Sequence, residues 1–155
     1  MSAAYAFGMK ILFNAVTVKN LLICVGIYYI SRWVTVPIAI AFGKLTQGII
    51  YSGEFEGAVV MPLILHLPAA LVAAGAGGSV FCLVDSSRPL RWVLFTALIY
   101  ACFGFLGYHW SHPSWLHDRL FQVVGALFPV ITCLLGGIMA GRRRAAARAA
   151  QVSTG

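Results

Sequence analysis

The side chains able to do chemistry in this sequence are few, and they stand in three places. The densest group is Tyr108-His109-Trp110-Ser111-His112-Pro113-Ser114-Trp115-Leu116-His117-Asp118. His109, His112, His117 and Asp118 offer imidazole and carboxylate, ligand types that suit zinc, copper or iron. Their spacing matches no metal-site pattern. Pro113 biases His112 away from helix, so His109 and His112 need not share a face. Trp110, Trp115 and Tyr108 support a simpler account, an aromatic belt at a membrane–water boundary with histidines in head-group water. We favour the belt and keep a divalent metal as the alternative.

His66 lies in an apolar run, bracketed by Pro62 and Pro68. A lone histidine in such a run serves as a proton relay, a quinone contact, a haem ligand or a hydrogen-bonded packing residue. Haem held by two histidines needs a second imidazole at similar depth, and His109 alone comes close. A packing role is the favoured reading. Arg32 is the third place, midway through the apolar stretch from Leu21 to Gly43. A charge at the centre of a spanning helix costs at least about 2.5–3.5 kcal/mol, so it is expected to face protein, water or a charged ligand. Shifting the window back to 11–31 only buries Lys19 instead. The acids Glu54, Glu56, Asp85 and Asp118 all fall outside the apolar stretches. Arg32 is then held in a structural pairing or by backbone carbonyls, or it grips a lipid or substrate phosphate with two parallel hydrogen bonds. If a substrate or lipid is bound, Arg32 and His66 are the residues expected to hold it.

The elements that position these groups follow from composition. The chain has 155 residues, of which 61% are hydrophobic and only 10% charged. Soluble domains carry about 25% charged residues, and their polar surface could not be built from this sequence. Disorder and coiled coil are excluded on the same ground. What remains is an all-α integral membrane protein. Apolar stretches at about 21–43, 57–84, 90–108 and 120–141 each approach or exceed the roughly 20 helical residues that cross a hydrocarbon core. None alternates as a barrel strand would. Residues 19–141 thus read as a four-helix transmembrane bundle. Residues 1–18, with Lys10 and Asn14 one turn apart, read as a short amphipathic helix lying in the interface. Residues 44–56 read as an outer loop, partly apolar at Ile49 and Ile50, which a short helix lying on the outer surface would suit.

Orientation follows from Lys and Arg. With four crossings, Lys10, Lys19, Arg88, Arg91, Arg142, Arg143, Arg144 and Arg148 fall on one side, against Lys44 and Arg119 on the other. Both termini are expected in the cytoplasm, with residues 142–155 a basic tail, in a bacterial-type inner membrane. The net charge of +7 belongs to this topology and implies no nucleic acid. Cys24, Cys82, Cys102 and Cys133 lie within the apolar stretches without C-x-x-C spacing, and read as small packing residues.

Helices in lipid approach closely where residues are small. Ala70, Ala74, Gly75, Gly77 and Gly78 make the second stretch the expected central helix or the one against a partner chain, and Gly137 and Gly141 form a small-xxx-small pair in the fourth. Pro37, Pro62, Pro68 and Pro129 are expected to bend or open their helices. No nucleophile with its base, no phosphate-cradling glycine loop and no paired intramembrane carboxylates occur. A buried acid of the kind a cation exporter uses is replaced at that depth by Arg32. The first expectation is a non-catalytic accessory subunit of a larger membrane assembly, with other subunits or itself as partner. The second is a small oligomeric carrier or flippase for an anionic or lipid-linked substrate, using Arg32. The third is a redox subunit holding haem or metal through His66 and the loop over residues 109–117.

Overall fold

A continuous apolar sequence can satisfy its backbone in lipid only by hydrogen bonding within itself, and the chain folds accordingly. The computed structural model describes residues 15–51, 60–109 and 116–154, and these form four helices. They are α1 (Ala15–Tyr51), α2 (Val60–Leu83), α3 (Pro89–His109) and α4 (Leu116–Thr154). Three carry apolar stretches long enough to cross a membrane, over Val16–Thr46, His66–Leu83 and Val123–Val152. The third helix contributes a shorter apolar run, Pro89–Gly104. The chain is an all-helical bundle whose long apolar helices point to a membrane.

Two helices outrun the apolar stretches that predict them. α1 has 37 residues, about 56 Å at 1.5 Å per residue, and α4 has 39. Residues 44–51, expected in an outer loop or a separate short surface helix, instead continue α1 without a break. This segment is not interrupted because its one turn-prone residue, Gly48, is tolerated within a helix at a cost of about 1 kcal/mol. Residues 15–18 likewise belong to α1, while residues 1–14 of the expected interfacial helix lie outside the described residues. At the other end the basic tail is helical as far as Thr154.

The prolines do not end the helices. Helix continues through Pro37, Pro68 and Pro129. Pro62 falls in the first turn of α2, where the missing N–H has no partner to lose.

The helices alternate in direction. α2 and α3 each touch the other three helices, whereas α1 and α4 do not meet among the described residues. The most extensive contact joins α2 to α4, which run in the same direction. The core lies between them and extends to α1 and α3 through Cys24, Tyr28, Ala73, Val80, Val93, Ala97, Tyr100 and Cys133. Cys24 and Cys133 pack in this core. Cys82 and Cys102 are exposed on the bundle surface instead.

Candidate functional site

The basic end of the bundle is assembled by a polar clamp. Asn20 is fully buried. Its Nδ2 donates to the Asp85 carbonyl at 3.2 Å, and its Oδ1 accepts from the Asp85 amide at 3.1 Å. One side chain thus satisfies both backbone groups of a residue that follows the end of α2, where carbonyls and amides lose their helical partners. Lys19 Nζ lies 4.0 Å from the Asp85 carboxylate, with both side chains largely exposed, so this ion pair contributes little to stability. Across the same end, a groove between α2 and α4 is lined by Cys82, Leu83, Arg143 and Arg144. A second depression holds Ser86, Ser87, Arg88 and Arg91 beside Trp92. Lys19, Arg88, Arg91, Arg143 and Arg144 therefore gather at one end of the fold.

From this clamp α1 presents one stripe to α2 and α3: Asn20, Cys24, Tyr28 and Ser31, all buried. Cys24 Sγ donates weakly to the Trp92 carbonyl at 3.7 Å. Tyr28 meets Tyr100 edge-on at 5.0 Å and stacks on Phe103 at 5.1 Å. Ser31 Oγ donates to the Tyr28 carbonyl at 2.6 Å and is also bonded to the Tyr100 hydroxyl. Since the serine proton is committed to Tyr28, the phenol donates to Ser31. Spacing of four, four and three residues is a helical stripe. It was available in the sequence, where the apolar residues around it hide the signal.

Arg32 follows Ser31 by one residue, a rotation of about 100°, and is exposed on the outer surface of α1. It lies about 18 Å along the helix from Asn20, level with the Tyr28–Tyr100 contact. Among the described residues it forms no ion pair; the one acid at hand, Asp85, is beside Lys19. Trp33 is 80% exposed next to it, and Val34, Val36, Ile38 and Ile40 continue an exposed apolar surface.

His66 is half-buried near the start of α2 and is already engaged by another group. Neither His66 nor Arg32 lines the groove or the depression at the basic end, so the two expected binding residues share no cavity there. The side chains of His109, His112, His117 and Asp118 lie outside the described residues, and the expected metal site with them. Among the described residues no three potential metal ligands come together.

The expected packing residues divide. Ala70 and Gly77 are buried. A Cβ on Gly77 would run into the Cys133 carbonyl, and one on Gly136 into the Ala74 carbonyl, so α2 and α4 touch backbone to backbone at this crossing. Gly78 faces the Gly136 carbonyl at an ordinary distance. Gly75 is exposed, and a Cβ there would meet open space. Gly137 and Gly141 do not form the α2–α4 crossing as a pair. A Cβ on Gly137 would come within 2.6 Å of Val93 on α3, whereas one on Gly141 would approach the Phe81 ring at 3.1 Å. Gly136, which sequence reasoning passed over, makes the closest approach to α2.

No known protein family, curated protein or solved structure matches this chain.

Proposed function

We propose that the protein is a non-catalytic subunit of a membrane assembly, with the outer surface of α1 around Arg32 as its contact with a partner chain. The observation that carries this reading is the position of Arg32: near the middle of a long apolar helix and exposed on the surface of its own bundle. A guanidinium facing hydrocarbon is costly, and an acceptor on a neighbouring chain removes that cost. Trp33 beside it supplies a large flat contact surface.

In this reading α3 spans with the others, its 21 residues reaching about 32 Å. Both termini then share the cytoplasmic side with the basic end, as positive charge favours. An impermeant thiol reagent is expected to reach a Ser86→Cys variant only from the cytoplasm. Labelling above the wild-type background from outside overturns the topology.

The function is tested by native mass of the tagged full chain after gentle extraction from its own membranes. A foreign subunit in fixed ratio is expected, with loss of at least about tenfold in Arg32→Gln, since a charged contact deprived of one partner loses a few kcal/mol. A clean homo-oligomer, with Arg32→Gln equally well folded and assembled, rejects the subunit reading.

A further inference from the structure

The groove between α2 and α4 carries a second inference, independent of Arg32 and resting on the membrane placement alone. Its volume is about 910 Å³. Ala74, Gly75, Gly78 and Gly136 form part of its lining, and Arg143 and Arg144 line it at the basic end. From Gly136 to Arg143 the groove follows α4 for about 10 Å. It therefore joins a smooth apolar channel, open on the bundle surface, to a pair of cations at the head-group level.

Charge decides what fits there. The sequence has four acidic residues, Glu54, Glu56, Asp85 and Asp118, and Asp85 at this end stands beside Lys19. Among the described residues Arg143 and Arg144 have no carboxylate partner. A second copy in the same orientation would bring its own Lys19, Arg88, Arg91 and basic tail to the same level, placing like charges together. The complement is an apolar chain attached to an anion. Two arginines can receive a phosphodiester through charge-assisted hydrogen bonds, and anionic lipid head groups attract basic residues at the membrane surface.

We propose that this groove holds one anionic phospholipid, with an acyl chain against Ala74, Gly75, Gly78 and Gly136 and its phosphate between Arg143 and Arg144. Bound there, the lipid fills the lateral opening beside the α2–α4 crossing and offsets part of the positive charge at the end of α4.

The test uses the full chain in mild detergent, incubated with mixed phosphatidylglycerol and phosphatidylcholine vesicles and re-isolated. Lipid retained per chain is counted by native mass spectrometry. Phosphatidylglycerol is expected to be retained at one molecule per chain in preference to phosphatidylcholine. Arg143→Gln with Arg144→Gln is expected to lower that retention about tenfold, by loss of two cations at the anion. Gly75→Leu fills the groove from a position where a Cβ meets open space, so it is expected to lower retention while the fold persists. Arg142→Gln with Arg148→Gln removes equal charge from residues that do not line the groove, and retention should hold within about twofold. Equal loss in the two arginine pairs, or equal retention of both lipids, overturns the site. So does an oxidative Cys82–Cys82 cross-link between copies, since Cys82 lines the groove and a second chain would then occupy it. If Gly75→Leu fails to fold, the two arginine pairs decide.

Discussion

The basic half of the bundle and the second half of α1 use the same apolar alphabet to opposite effect. In the first, small residues bring backbones together: Gly77 meets the Cys133 carbonyl, Gly136 meets the Ala74 carbonyl, and Asn20 ties α1 to the turn after α2. In the second, from Arg32 to Ala41, every residue but Thr35 is exposed, with bulky Trp33, Val34, Val36, Ile38 and Ile40 facing outward. Thr35 turns its hydroxyl back to the Ser31 carbonyl at 2.7 Å. Apolar character alone does not hold helices together in lipid, because the lipid is equally apolar. Close approach and satisfied polar groups do. The basic half has both, while the second half of α1 presents a surface to whatever surrounds the protein.

Substitutions can break this contrast. The largest effect is expected for Gly136→Leu, which would force α2 and α4 apart at a backbone contact and cost about 3 kcal/mol. Unfolding titration in mixed micelles reads this directly, and a neutral result would remove the crossing as the source of stability. Next comes Asn20→Ala, at about 2 kcal/mol, since it leaves the amide and carbonyl of Asp85 without partners. Faster hydrogen exchange at the Asp85 amide is the signature, and unchanged exchange would mean that water replaces the clamp.

Smaller effects sharpen the comparison. Ser31→Ala strands the buried Tyr100 hydroxyl and is expected to cost about 1 kcal/mol. Tyr100→Phe leaves Ser31 still bonded to the Tyr28 carbonyl, and should cost nearer about 0.5 kcal/mol. A thermal series on the two variants tests that order; its reversal would mean that the serine, not the phenol, donates. At the bottom is Gly75→Ala, where a Cβ meets open space. It should stabilise by about 0.5 kcal/mol through helix propensity. A destabilisation as large as that of Gly136→Leu would place Gly75 in a packed contact and erase the distinction between the two glycines.

Much of the candidate site was legible at the level of position but not of direction. Arg32 reads as mid-span from its distance to Leu21 and Gly43. Its exposure depends on the rotation of α1, which Asn20, Cys24, Tyr28 and Ser31 set by facing α2 and α3. One residue along a helix is about 100° of rotation, enough to separate the buried Ser31 from the exposed Arg32. The same rotation separates Gly136 from Gly137. The small-xxx-small spacing singles out Gly137 and Gly141, yet these meet Val93 and Phe81, and Gly136 is the residue that admits the backbone of α2. Within the run from Ala73 to Ser79 every position is small enough to pack. Composition there predicts close approach without choosing the face, and Gly75 falls on the open one.

What the sequence by itself determined is the class of protein: an apolar, charge-poor chain whose uninterrupted stretches must become helices, since lipid offers no partner for an unsatisfied backbone. It also determined that the basic residues flank those stretches and that Arg32 and His66 stand within them. Tertiary structure alone decided which small residues touch, that Arg32 is exposed on the bundle surface, and that Arg143 and Arg144 close one end of an apolar groove. Those outcomes depend on how each helix is rotated and where it crosses its neighbours. Such angles arise from many weak contacts made together, and no local run of residues encodes them.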